Sequence, residues 1–165
     1  LDHIAAAVSV PEITSDRIQK IIADMQAALD SQRDGVAIAA PQIGVSLRIF
    51  LIAENAYDET RKDRPLVFIN PKIIKHSKEK KRVQEGCLSV RWKYGETLRW
   101  KQATVTALDA GGQEFTCSGS GLVAQIFQHE IDHLDGILFD SHAENLRDLT
   151  DEEIANYQQE LKDGK

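Results

Sequence analysis

The sequence is poor in cysteine, has no long apolar run and shows no excess of positive charge, and each shortage excludes something. Two cysteines in 165 residues, Cys87 and Cys117, cannot make a disulfide framework. The expectation is therefore reduced thiols in a cytosol-like compartment. No apolar run approaches the roughly 18 residues that a membrane span needs. Residues 1–10 lack the basic start of a secretory signal and carry Asp2 and His3 instead. Lys plus Arg number 20 against 26 Asp plus Glu, for a net charge of -6, which disfavours a protein that lives mainly by gripping phosphate backbones. Internal repeats, Pro- or Ser-rich linkers and low-complexity blocks are also missing, so a single domain over residues 1–165 is expected.

What remains is a globular composition, 42% hydrophobic and 28% charged, in a chain long enough to bury roughly 70% of its unfolded surface. Ile18, Ile21, Ile22, Met25 and Leu29 follow helical spacing, with Thr14 or Ser15 as the cap, and predict an amphipathic helix near the N-terminus. Residues 47–53 (LRIFLIA), 66–70 (LVFIN) and 104–108 (TVTAL) read as strands, the last leading into a hairpin turn at Gly111-Gly112. Residues 122–134 predict a second helix, apolar on several sides and hence buried, which stops near Gly136. Thr150-Asp151-Glu152-Glu153 fits a capping box that opens a C-terminal surface helix over about 150–163, with a thin stripe of Ile154, Tyr157 and Leu161. The expected class is α+β: small β-sheets packed around a central buried helix, with a helix at each end.

That buried helix carries His129-Glu130-Ile131-Asp132-His133. Residues four apart lie one above the other on a helix face, so His129 and His133 can offer two imidazole nitrogens to one metal ion. Glu130 sits where a general base for an attacking water belongs. A catalytic site of this kind needs a third protein ligand and one open position. Asp140, Glu144, His142 and either cysteine are candidates. Cys87 lies in Glu85-Gly86-Cys87-Leu88-Ser89, where the glycine allows close backbone approach, and a buried inert thiol is the competing reading. Cys117 has no such setting and is assigned to the core or a strand edge. A third segment, residues 35–44, is rich in small residues, and Gln42 is its only side-chain hydrogen-bond donor. Alone it reads as a tight turn around Pro41.

Together, Ala39-Ala40-Pro41-Gln42, Glu85-Gly86-Cys87-Leu88-Ser89 and Gln128-His129-Glu130-Ile131-Asp132-His133 resemble, in order and separation, the signature of the peptide deformylases. The match continues through Leu134-Asp135-Gly136-Ile137-Leu138-Phe139. The resemblance implies hydrolysis of the N-formyl group from the initiator methionine of nascent polypeptides, with release of formate. It implies Cys87, His129 and His133 as ligands of one divalent metal, Fe²⁺ physiologically, with Zn²⁺ or Ni²⁺ as replacements. Glu130 is then the general base, and Gln42 with the backbone N–H of Leu88 the oxyanion donors. Val36 and Ile126 match the methionine pocket, and the backbone around Val36 and Gly86 aligns an extended peptide. Asp132 is expected to prop a neighbouring group. The implied location is cytoplasmic, or an organellar matrix in a eukaryote, with formylmethionyl peptides and the ribosome as partners and neither a membrane nor specific DNA.

Ala37 stands where the family usually has glycine, and Arg91, followed by Trp92, Lys93 and Tyr94, where it usually has proline; both departures bear on the substrate groove. Two other readings compete. One is a zinc endopeptidase using His129, His133 and a downstream carboxylate, with Cys87 incidental. The other is an RNA- or ribosome-binding role for the basic run of Lys72, Lys75, His76, Lys78, Lys80, Lys81 and Arg82, whose plainer reading is a solvated hairpin.

Overall fold

The structure, a computed structural model, describes residues 3–32, 34–58, 64–87 and 90–162. Ser15 caps the first helix, its side chain accepting from the Ile18 N–H, and α1 (Asp16–Asp30) buries Ile18, Met25 and Leu29. Strands β1 (Ala37–Ala39), β2 (Ile49–Ile52), β3 (Val67–His76), β6 (Gln102–Leu108) and β7 (Glu114–Ser120) form a five-stranded sheet in the order β1-β2-β3-β6-β7. A second sheet has the order β4-β5-β8, from β4 (Lys80–Cys87), β5 (Val90–Trp100) and β8 (Glu144–Asp148). Every pairing within the two sheets is antiparallel. Helices α2 (Gly121–Leu134) and α3 (Asp151–Lys162) complete an α+β fold. Among the described residues no helix is long and apolar enough to cross a membrane.

Several elements differ from the sequence reading, among them β8, which it did not include. The strand expected to end at Asn70 continues to His76, passing Pro71, and a register shift between Ile69 and Lys72 brackets the residue that cannot donate to the ladder. Asn70 itself adopts φ 52° and exchanges two side-chain hydrogen bonds with Val8, tying down the N-terminal segment. The segment read as a turn around Pro41 begins with β1 and becomes a 3-10 turn (Ala40–Ile43) that ends at Gly44, φ 83°. Residues 80–87 and 90–100 pair as a long β4–β5 ribbon, which the run of charges had concealed. The C-terminal capping box is present: Glu153 N–H donates to Thr150 Oγ1 and Thr150 N–H to the Glu153 carboxylate. Of the stripe expected on α3, the side chains of Tyr157 and Leu161 lie outside the described part.

The α2 helix packs against β1, β2, β3, β6 and β7 of the larger sheet and β5 of the smaller one. Its apolar residues Ala124, Ile126, Phe127, Ile131 and Leu134 join one core cluster with Phe50, Phe68 and Val105. Phe50 and Phe68 stack with centroids 4.6 Å apart, and Phe127 reaches Phe68 at 5.5 Å. A second cluster, between α1 and the other face of β2, holds Ile18, Met25, Ile49 and Leu51. Cys117, on β7, is a buried free thiol within the first cluster, as expected. The Ala37 methyl is also packed into that cluster.

Gly119 sets the distance between β7 and α2. A Cβ there would lie 2.5 Å from Val123 Cγ1 and 3.3 Å from Phe127 Cε2. Gly119→Ala must therefore push back Val123 on the helix that carries the two histidines, at an expected ~1–3 kcal/mol. Urea unfolding should show that loss, and Val123→Ala in the same chain should recover part of it.

Candidate metal centre and its supporting network

A helix holds two histidines at a fixed separation only if the helix itself is held. Gln128 binds α2 to β5 as a strand neighbour would, its Oε1 accepting from Trp100 N–H at 2.9 Å and its Nε2 donating to Trp100 O at 3.0 Å. At the C-terminal end, the Asp135 N–H closes on the Ile131 and Asp132 carbonyls, and Gly136 takes φ 76°. His129 and His133 consequently project from one face, with their Nε2 atoms 3.2 Å apart.

The other ring nitrogen of His129 is committed. Nδ1 faces Glu85 Oε1, and the Glu85 carboxylate is itself enclosed by donors. Arg99 Nη2 lies 2.5 Å from Oε1 and Arg99 Nε 3.0 Å from Oε2, a bidentate pair, while Thr97 Oγ1 donates to Oε2 at 2.5 Å. The remaining arm of Arg99, Nη1, reaches Asp132 Oδ2 at 2.6 Å. Glu85, Thr97, Arg99, Gln128, Glu130 and His133 are all at most 5% exposed. Burial alone would raise the Glu85 pKa, but the hydrogen bonds from His129 and Arg99, with the Arg99 charge, outweigh it and hold Glu85 below the usual carboxylate range. An ionised Glu85 accepts from His129 Nδ1–H, which fixes the tautomer that leaves a lone pair on Nε2. Burial, with the neighbouring His129, holds His133 down to about 3, so its ring is neutral at pH 7.

Glu130 has a different environment. Burial pushes its carboxyl up to about 7, the Glu85 charge adds to that, and His129 opposes it. Its Oε2 is buried with no hydrogen-bond partner among the described residues. A buried carboxylate oxygen without a partner is costly, and Glu130 is close enough to His129 for its charge to be felt, while the Nε2 atoms of His129 and His133 converge. Two nitrogens bound at about 2.0–2.1 Å to one tetrahedral ion lie roughly 3.3–3.4 Å apart. The observed 3.2 Å fits that requirement. Imidazole nitrogens, a carboxylate-anchored ligand and a nearby unsatisfied base together suit a divalent cation with its water.

The remaining predicted residues fall as follows. Cys87 ends β4, two residues beyond Glu85; its side chain, and Leu88 entirely, lie outside the described part. Among the described residues no group of three metal-ligating side chains is assembled. Of the downstream candidates, Glu144 is exposed and paired with Arg82, and His142 lies 3.7 Å from Asp132. Asp140 stands in the 3-10 turn Phe139–Ser141. Gln42 Oε1 accepts from the Ala39 N–H at 2.7 Å, which orients the carboxamide at the end of β1. Ile126 is buried in the core cluster, and Val36 packs against the same cluster. Gly86 is in register with Tyr94, and a Cβ there would meet the Tyr94 ring at 2.8 Å. The Arg91 side chain lies outside the described part. Sequence reasoning missed Thr97 and Arg99. Their only signal is alternation, which puts both on one face of β5, and the partner strand is not legible from that.

Glu130 yields a pH-dependent prediction for protein stripped by a chelator. A carboxyl whose folded-state pKa lies above its unfolded value favours the fold while protonated, and that contribution is lost as pH rises from about 4.5 through about 7. Glu130→Gln removes the penalty. Urea unfolding should show the variant gaining roughly 3 kcal/mol relative to the parent between pH 4.5 and pH 8; an equal difference at both pH values contradicts the assignment.

The family model for polypeptide deformylase matches residues 3–148. Peptide deformylase 2 of Clostridium acetobutylicum is 43% identical over 139 residues, covering 84% of this chain and 87% of that one. The Rhizobium meliloti peptide deformylase is 37% identical over 146 residues, covering 88% and 83%. Among solved structures, the actinonin-bound class I type b peptide deformylase from Acinetobacter baumannii superposes with a TM-score of 0.77 at 36% identity, covering 87% of this chain and 91% of that one. With a shared pattern that extends over most of its length, the chain belongs to the polypeptide deformylase family.

Proposed function

We propose that the chain is a metal-dependent hydrolase that removes the N-formyl group from the N-terminal methionine of nascent polypeptides, with the helix α2 as the central element of a single catalytic domain spanning residues 1–165. The observation that carries the site assignment is the convergence of two buried imidazoles, one of them anchored by Glu85, on the helix that also carries the buried, unpartnered Glu130 Oε2. Family membership supports the reaction. The Acinetobacter baumannii relative has been crystallised with Met-Ala-Ser, a peptide with the sequence form of a deformylated product.

Cys87, His129 and His133 would hold the ion, and one thiolate with two neutral imidazoles suits Fe²⁺, which we assign as the physiological metal, as well as Zn²⁺ or Ni²⁺. Such an ion supplies Lewis acidity and makes hydroxide available near neutral pH. Glu130 Oε2 takes one proton from the attacking water as oxygen adds to the formyl carbon, and returns it to the leaving nitrogen as the C–N bond breaks. The products are formate and a free amine. The raised pKa of Glu130 suits both transfers, because a group poised near 7 accepts and releases a proton with little penalty in either direction. Gln42 Nε2 and the Leu88 N–H donate to the oxyanion, and losing one such donor costs about 100- to 1,000-fold in rate. Val36 and Ile126 face the methionine side chain, and the backbone at Val36 and Gly86 receives the peptide as an added strand. The reaction places the enzyme in the cytoplasm or an organellar matrix.

Formate release from formyl-Met-Ala-Ser, with acetyl-Met-Ala-Ser as the control, tests the reaction. Fast release from the first and none from the second is expected. Glu130→Gln should lower kcat about 100- to 10,000-fold while keeping bound metal, and Cys87→Ser should lower metal content. Unimpaired metal binding in both Cys87→Ser and Cys87→Asp returns the endopeptidase reading.

A further inference from the structure

The charge of this chain is unevenly spread. Residues 72–82 carry five lysines, one arginine and a single Glu79, a net of +5 in a chain whose total is -6, so the remainder carries -11. Two of these groups are already neutralised. Glu79 is paired with Lys101 at 2.6 Å, and Arg82 with Glu144 at 2.5 Å. Lys72, Lys75, Lys78, Lys80 and Lys81 are exposed and have no carboxylate partner among the described residues.

The fold does more than leave these lysines in solvent. On β6, Ala103, Val105 and Ala107 are buried, and Thr104 and Thr106 alternate with them on the outer face. A regular ladder would place Ile74 opposite Thr104. The register shift between Ile73 and Lys75 places Lys75 there instead, while Lys72 is opposite Thr106. The bulge therefore turns two cations, three residues apart, onto one face of the sheet. Beside them runs an open groove of about 420 Å³ lined by Lys75, Ser77, Gln102, Thr104, Ser118 and Ser120. At its edge His76 stacks on Trp100 with centroids 3.6 Å apart and planes within 5°, and Lys80 Nζ lies 5.2 Å from the Trp100 centroid.

Lysine, serine, threonine and glutamine are the side chains that hold phosphodiester oxygens, and exposed aromatic rings flanked by cations are platforms for bases. We propose that the basic segment 72–82, which links β3 to β4, and the adjoining Ser/Thr groove form an RNA-backbone binding surface, separate from the hydrolytic centre, that reads phosphate spacing without base sequence. An acidic peptide would engage the lysines but has no use for a hydroxyl-lined groove beside stacked rings, so RNA is the partner favoured.

Fluorescence anisotropy with a labelled 20-nucleotide oligouridine tests it. Micromolar binding is expected near 50 mM salt, falling as salt rises, with a log–log slope of about -2 to -3.5 for three to five phosphate contacts on a single strand. The triple variant Lys72→Glu, Lys75→Glu, Lys78→Glu should weaken binding at least 10-fold. The corresponding triple arginine variant should bind as the parent does, which separates charge from misfolding. Formate release from a free formylated tripeptide should be unchanged in both variants. Absence of binding at 50 mM salt, binding unaffected by the charge reversal, or equal affinity for polyglutamate or for phosphatidylserine vesicles overturns the proposal.

Discussion

The site depends on a carboxylate buried against an imidazole. Glu85 holds His129 by Nδ1, and everything else around it serves to keep that carboxylate ionised where water cannot. Isolated, a carboxylate this deeply buried would take up a proton and its hold on the ring would change character. Arg99 prevents this with two hydrogen bonds and a full charge, and Thr97 adds a third donor. Removing one member of such a buried pair typically costs about 3–5 kcal/mol, because the survivor is left uncompensated. The network is therefore poor ground for added stability and good ground for fixed geometry. It turns one nitrogen lone pair toward its neighbour four residues along the helix.

The two carboxylates near the histidines show how environment divides labour between identical groups. Glu85 has donors on both oxygens and is held ionised. Glu130, forty-five positions later and equally buried, is pushed the other way, up to about 7. One is suited to orient a ligand, the other to move a proton. Asp132 joins the first system through Arg99 and, as the sequence suggested, supports a neighbour.

Much of this was legible in the sequence, for physical reasons. The i, i+4 histidines on an apolar helix, the Ser15 cap and the Thr150 capping box are local patterns, and local patterns survive folding. The β4–β5 ribbon was not legible, because charges fall on both faces of its strands and on β5 the polar Thr97 and Arg99 are buried while Leu98 is exposed, so the apolar–polar order that marks a half-buried strand is missing. Arg99 shows the limit most sharply. Nothing in its neighbours distinguishes a buried arginine from a solvated one until the register of β5 against β4 sets it beside Glu85. The basic run is not the hairpin the sequence suggested: β3 pairs with β6 and β4 with β5, so the run links two different sheets, and the β3–β6 bulge sets Lys72 and Lys75 on a common face.

The most direct test of this account is the tautomer of His129. Nitrogen-15 NMR on histidine-labelled, chelator-treated protein at pH 7 should show a protonated Nδ1 and an unprotonated Nε2 on His129, with Glu85→Gln shifting that pattern. A His129 ring protonated on Nε2, or one indifferent to Glu85→Gln, would mean that the buried carboxylate does not set the ligand, and the account of the site would fail.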